Sequence, residues 1–220
     1  MSDDDPEVVR GAIDPVLAEE FPGLGVRWVV VDGAPGPSTE GGRYRLGQLA
    51  NRISGPTALE LRRQEVPHAY RVFFRHVGID PDVTRTPVEA AILARLLDGG
   101  FRVSDRIGDG CLAALVETGV PVWPMDAERL VGALTLRLAD GGERLGEGSV
   151  KHPPDELAAG RLLVADAHGP VAPLFGDVLA ERRPAHGTRR ILLFTVQVPG
   201  VSDLHVREAL WTATEAVRDA

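Results

Sequence analysis

Thr84-Arg85-Thr86-Pro87-Val88-Glu89-Ala90-Ala91-Ile92-Leu93-Ala94-Arg95-Leu96-Leu97 carries the clearest local instruction in this chain. Thr86 is a good N-cap and Pro87 suits the first helical position, where a missing N–H costs nothing. Glu89 stands three residues after the cap, where its carboxylate can reach back and complete a capping box. Val88, Ala91, Ile92, Arg95 and Leu96 then follow helical spacing, and Gly99-Gly100 supplies the left-handed stop. Just upstream, Gly78-Ile79-Asp80-Pro81 has turn chemistry and ends a helix expected over His68 to Val77.

Working outward, the spacing of Val8, Val9, Ala12, Ile13, Val16 and Leu17 suggests an N-terminal helix, with Asp5 able to cap it, Pro6 in its first turn and Pro15 disturbing it. Val26 to Val31 is a β-branched run that reads as a buried strand, and Gly33 to Gly42 as a surface loop. One or two helices are expected within Arg45 to Glu65, broken around Ser54-Gly55-Pro56. Leu112 to Val116 is short and apolar. Leu134 to Leu138, Arg161 to Ala165 and Ile191 to Val198 read as strands, and Val201 to Val217 as a closing helix with Ser202 as its cap. Strands and helices mix without a regular βαβ alternation, which favours an α+β arrangement over a doubly wound parallel sheet.

Composition sets the frame for function. The chain has 220 residues, 44% of them hydrophobic, with 24 Lys and Arg against 32 Asp and Glu. That length corresponds to about 1.5 average domains, and the apolar share suits a globular core. Bulk disorder, a disulfide scaffold and a bilayer-spanning run are excluded as readings of this composition. A lone Cys111 and no leader-like segment lead to the expectation of a cytoplasmic protein. A net charge of −8 argues against broad capture of nucleic acid, though a local basic patch remains compatible with it.

No familiar catalytic pattern emerges. The glycines do not form a phosphate-binding loop followed by Lys-Ser or Lys-Thr, and there is no G-x-S-x-G elbow. The six histidines show no zinc-finger spacing and no HExxH, so no metal is expected. Asp166-x-His168 reads either as a pair touching a metal or as a strand turning at His168-Gly169-Pro170. Cys111 reads as a nucleophile or as a free buried cysteine, with nothing local supporting the former. Gly108-Asp109-Gly110-Cys111 offers an acid where a ligand could approach backbone amides, or simply a turn. Arg71, Arg75 and Arg85 bracket the Gly78–Pro81 turn, while Arg182-Arg183 and Arg189-Arg190 flank a Pro-containing loop. Both groups are candidates for a carboxylate or phosphate site, with pairing to Asp80, Asp82 and Glu89 as the bland alternative.

Taken in order, several segments resemble the B three/four domain, the tRNA-editing module of the bacterial phenylalanyl-tRNA synthetase beta chain, which also occurs free-standing at about this length. The resemblance rests on Gly78-Ile79-Asp80-Pro81 with Thr84-Arg85-Thr86-Pro87-Val88-Glu89-Ala90, and on Asp109 as an acid before a helix. It continues through Gly119-x-Pro121 with Asp126, Leu136-Arg137-x-Ala139 with Gly142-Glu143, and the Arg161 to Asp166 strand. Phe21-Pro22-Gly23-Leu24 resembles free-standing members. The similarity spans roughly residues 20 to 217, so residues 1–19 read as an acidic helical segment and 20–220 as one domain.

This resemblance implies an α+β domain of layered sheets with packed helices, a pocket for an aminoacyl moiety and cleavage of the ester of a mischarged tRNA 3′ end. No covalent nucleophile or cofactor is required, because positioned water and backbone amides suffice for such a step. The implied site comprises Asp109, Glu143 and Asp177 as acids that steer water, with Arg71, Arg85, Trp123 and Gly176 holding the ligand. Expected partners are a tRNA 3′ end or an aminoacyl ligand, and possible docking on an aminoacyl-tRNA synthetase, with neither DNA nor a membrane. Trp123 departs from a histidine in the synthetase version, Leu112 from an asparagine in free-standing members, and Phe175-Gly176-Asp177 matches the pocket loop loosely. Indole donates a hydrogen bond but exchanges no proton, so a non-catalytic binding domain for a small metabolite or a protein is the rival reading.

Overall fold

The structure is a computed structural model that describes residues 7–145 and 155–218. In chain order it contains β1 (Val9–Arg10), β2 (Ala12–Ile13), α1 (Pro15–Glu20), β3 (Gly25–Asp32), α2 (Glu40–Arg52), α3 (Gly55–Leu61) and α4 (Glu65–His76). There follow α5 (Pro87–Asp98), α6 (Arg106–Thr118), β4 (Trp123–Asp126), β5 (Thr135–Leu138), β6 (Glu143–Leu145) and β7 (Asp155–Leu157). The chain closes with β8 (Leu162–Asp166), β9 (Gly169–Pro173), β10 (Arg190–Gln197) and α7 (Asp203–Arg218). The fold is mixed α+β, with helices gathered beside two four-stranded sheets.

One sheet runs β1-β3-β10-β4, antiparallel throughout, and the other runs β2-β5-β8-β9 with only the β2–β5 pair parallel. The strand β10 is central to the first. Ile191, Leu192 and Leu193 are each 0% exposed, so both of its faces are covered, as a continuous apolar run requires. Leu136 and Val164 of the second sheet, with Leu134 just ahead of β5, share one core with Val26, Ile191 and Phe194 of the first. On the helical side α7 packs against β3, β10 and α6, while α2 and α5 pack on α6 and α3 on α5.

The capping box of α5 forms as its sequence dictates. Glu89 accepts from the Thr86 hydroxyl at 2.9 Å and the Thr86 amide at 3.4 Å, and Gly99 ends the helix at φ 77°. The same carboxylate takes Arg71 Nη1 at 2.7 Å and Arg62 Nε at 2.9 Å. Arg71 and Glu89 are both buried, and this contact ties α4 to α5 beneath the turn at Gly78.

Two local expectations are overturned. The helix expected from Val8 is instead β1 and β2, and α1 starts only at Pro15, with Asp14 accepting from the Val16 amide at 2.8 Å. Pro15 thus opens a helix rather than disturbing one, since its missing N–H falls in the first turn. Gly11 explains the rest: its amide donates to Val26 O at 2.9 Å, and a Cβ there would lie 2.4 Å from Leu134 O. The chain must be extended and side-chain-free to pass between the sheets. Asp5 and Pro6, the expected cap, lie outside the described residues. The second correction concerns Gly108-Asp109-Gly110-Cys111, which is no loop but part of α6, capped by Asp105 through the amides of Ile107 and Gly108. The apolar Leu112 to Val116 belongs to the same helix.

Removing Glu89 takes from buried Arg71 its one buried partner, leaving only the exposed Asp82, and opens the capping box of α5. Glu89→Ala is therefore expected to lower the unfolding free energy by about 3–5 kcal/mol, with urea denaturation as the measurement. A loss under 1 kcal/mol would mean the pair contributes no more than an exposed one.

Candidate functional site

A cleft of about 590 Å³ opens between the helices and the end of the second sheet. Its helical wall comes from Pro87 and Ala90 of α5 and from Cys111, Leu112 and Leu115 of α6. Opposite lie Trp123, at the start of β4, and the turn Leu174–Asp177 that follows β9. Arg85, one residue before the α5 cap, and Arg161, just before β8, stand on its rim.

The turn is built around an aromatic hub. Phe175 has φ 57°, the only positive φ at a non-glycine residue among those described. A left-handed backbone disfavours an L side chain, so surrounding contacts must hold it. Phe175 stacks on Phe74 with centroids 4.9 Å apart and lies 6.2 Å from Trp123 at 30°, while its edges meet Tyr70 and Phe73. Trp123 continues the stack onto Phe194, its register partner across β4 and β10. The Tyr70 hydroxyl donates to Val196 O at 2.8 Å, anchoring the hub to β10. Gly176 closes the turn by donating to Pro173 O at 2.9 Å, and a Cβ there would meet Pro173 Cγ at 2.4 Å.

Four of the seven residues singled out in the sequence thus come together: Arg85, Trp123, Gly176 and Asp177 line one cleft. Arg85 and Arg161 are exposed and make no side-chain hydrogen bond or ion pair among the described residues. Asp177 is 91% exposed and sits 3.5 Å from Arg183. The amides of Phe175 and Asp177 make no backbone hydrogen bond among the described residues, whereas that of Gly176 is consumed by the turn.

The other three are corrected. Asp109 lies in the first turn of α6, only 2% exposed, and accepts from the Ser38 hydroxyl and from the Ser104 amide at 2.9 Å. It staples a loop to a helix and lines a separate cavity beside Thr39 and Arg106. Glu143 grips Arg137 with both oxygens and accepts from the Asp140 amide at 3.0 Å. Arg71 is consumed by Glu89 and by Asp82, each at 2.7 Å. In each case an opposite charge or a donor has claimed the group, and for Arg71 it is the alternative pairing, with Asp82 and Glu89, that forms.

The arginines expected around the later loop divide in the same way. Arg182 is buried and binds both oxygens of Asp166 at 3.1 Å, while Arg183 reaches Asp177 and donates to Val178 O. Asp166 also accepts from the amides of Val131, His168 and Gly169, so Asp166-x-His168 is a turn, its carboxylate saturated. The Cys111 thiol is pushed up to about 12, chiefly by burial and then by Asp105, so it stays protonated at neutral pH and is a poor nucleophile.

Sequence reasoning missed Phe74 and Arg161 as cleft residues and gave no hint of the strained Phe175. Aromatic residues 52 and 101 positions apart in the chain carry no local signal of stacking, as Phe175 does with Trp123 and Phe74. The chain matches no protein-family model, and comparison with curated proteins gives no match. Among the described residues, no helix is long and apolar enough to cross a membrane.

Glu143 yields a pH prediction. The Arg137 hydrogen bond holds its carboxyl below the ordinary 4.5, with burial opposing and the Asp140 amide assisting. A depressed folded-state value contributes stability above the unfolded one, and that contribution is lost as pH falls through the folded value. The stability difference between the parent and Glu143→Gln is therefore full at neutral pH and closes progressively below 4.5, read by urea unfolding across that range. A difference that stays constant with pH would exclude this linkage.

Proposed function

We propose that this protein is a free-standing domain resembling the aminoacyl-tRNA editing module, which binds an aminoacyl moiety in the aromatic cleft and hydrolyses the ester of mischarged tRNA in trans. The observation that carries the reading is the convergence of Arg85, Trp123, Gly176 and Asp177 on one cleft. Trp123 and Phe175 offer flat apolar surface for an amino-acid side chain. Arg85 and Arg161, unpaired on the rim, suit the phosphate of a tRNA 3′ end as a local contact on an otherwise acidic protein.

In the reaction, Asp177 holds a water against the ester carbonyl and accepts its proton as the water oxygen attacks. The developing oxyanion is met by the unengaged amides of Phe175 and Asp177. When the acyl–oxygen bond breaks, the proton passes to the departing ribose oxygen, leaving a free amino acid and an intact tRNA end. Such a site needs no covalent intermediate, in keeping with the protonated Cys111.

A specific observation favours a second reading. Two of the three expected acids, Asp109 and Glu143, are locked into structural contacts, and Asp177 itself faces Arg183. A binding domain that holds a small amino-acid-like metabolite without turnover would need only the aromatic wall and the arginines.

Deacylation assays with a panel of mischarged tRNAs separate the two. Hydrolysis predicts release above the buffer rate for at least one tRNA. Asp177→Asn should then lower kcat roughly 100-fold or more, while Arg85→Ala chiefly raises KM. No release with any tRNA, together with quenching of Trp123 fluorescence by amino-acid analogues, would replace hydrolysis with simple binding.

A further inference from the structure

A second cavity, of about 360 Å³, adjoins the first and shares with it Ile79, Arg161, Pro173 and Leu174. This volume lies at the small end of the range of roughly 300–1,000 Å³ typical of ligand sites. Its floor is apolar, formed by Leu17 and Phe21 from the N-terminal part of the chain and by Leu157 and Leu162 from the second half. The rim carries Glu20, His76 and Arg161. All three are exposed, and none of their side chains makes a hydrogen bond or ion pair among the described residues.

From this arrangement we infer that the second cavity is a separate binding site for a free apolar α-amino acid, its side chain on the leucine floor, its carboxylate on Arg161 and its ammonium on Glu20. The rim decides the ligand class, because it presents both signs of charge beside one apolar chamber. A simple apolar carboxylate would gain Arg161 but meet repulsion from Glu20, and a simple amine would suffer the converse. A zwitterion satisfies both, and discrimination of this kind comes from the penalty on the wrong ligand as much as from attraction to the right one. Because Arg161 borders both cavities, an amino acid held here engages a guanidinium that the aromatic cleft also presents.

The site is tested independently of catalysis by following the His76 imidazole signals in NMR spectra during titration with leucine, the signals being assigned with His76→Gln. Leucine should move them saturably, whereas 4-methylpentanoate and 3-methylbutylamine should bind more weakly by roughly tenfold each, the size expected for loss of one charged hydrogen bond. Arg161→Ala and Glu20→Ala, both exposed substitutions, should each weaken leucine to a similar extent, and Arg85→Ala should leave it unchanged. Three results would overturn the inference: no saturable shift, equal binding of the three probes, or loss of leucine binding in Arg85→Ala alone. The last would place the amino acid in the aromatic cleft. Failure of tRNA deacylation leaves this titration unaffected, so the two readings fall separately.

Discussion

The buried contact between Arg71 and Glu89 governs the face of the molecule that carries the cleft. Each charge is withdrawn from water and compensated by the other 2.7 Å away, with Arg62 adding to Glu89 and Asp82 to Arg71 from more exposed positions. Glu89 simultaneously closes the N-terminus of α5, and Arg71 also reaches Asp82 in the segment between α4 and α5. One carboxylate therefore fixes a helix start, a helix–helix contact and the course of the intervening turn. Arg85 lies in that turn, one residue before the cap, so its place on the cleft rim follows from a contact that never touches a ligand.

The opposite wall depends on aromatic packing rather than charge. Phe175 occupies an unfavourable backbone region, and four aromatic neighbours hold it there. Since the hub runs through Trp123 to Phe194 on β10, the wall of the cleft is continuous with the central strand. A rigid apolar wall facing a solvated, arginine-bearing rim is well suited to a ligand that is apolar at one end and charged at the other. The exposure of Asp177, by contrast, leaves the acid of the cleft among its least confined members.

What the sequence made legible was local. The Thr86–Glu89 box, the Gly99 stop, the apolar run of β10 and the Ser202-started α7 each rest on neighbours within a few positions, and each is present. The errors came where a distant partner decides. Val8 to Ile13 carry spacing that suits a helix, but β1 and β2 are held by β3 and β5. Asp109 looked available because Ser38, its partner, lies 71 residues away, whereas the pairing of Arg71 with Glu89 and Asp82 was already one of two readings open in the sequence. The cleft was only half visible for the same reason: Trp123 and Asp177 were singled out through the positions of the resemblance, while Arg161 and Phe74 gained meaning from tertiary placement alone.

The strap from Val9 to Ile13 has a consequence beyond its modest length. It is the outer strand of both sheets at once, pairing with β3 on one and β5 on the other, and Gly11 is the point where it crosses. Two rows of backbone donors and acceptors are thus shielded by a single five-residue ribbon. If the ribbon peels away, both edges are bared together, and unpaired strand edges recruit other chains. Shielding of the β3 and β5 edges is thereby concentrated in one short segment, and a side chain at Gly11 would weaken it at both edges in a single step.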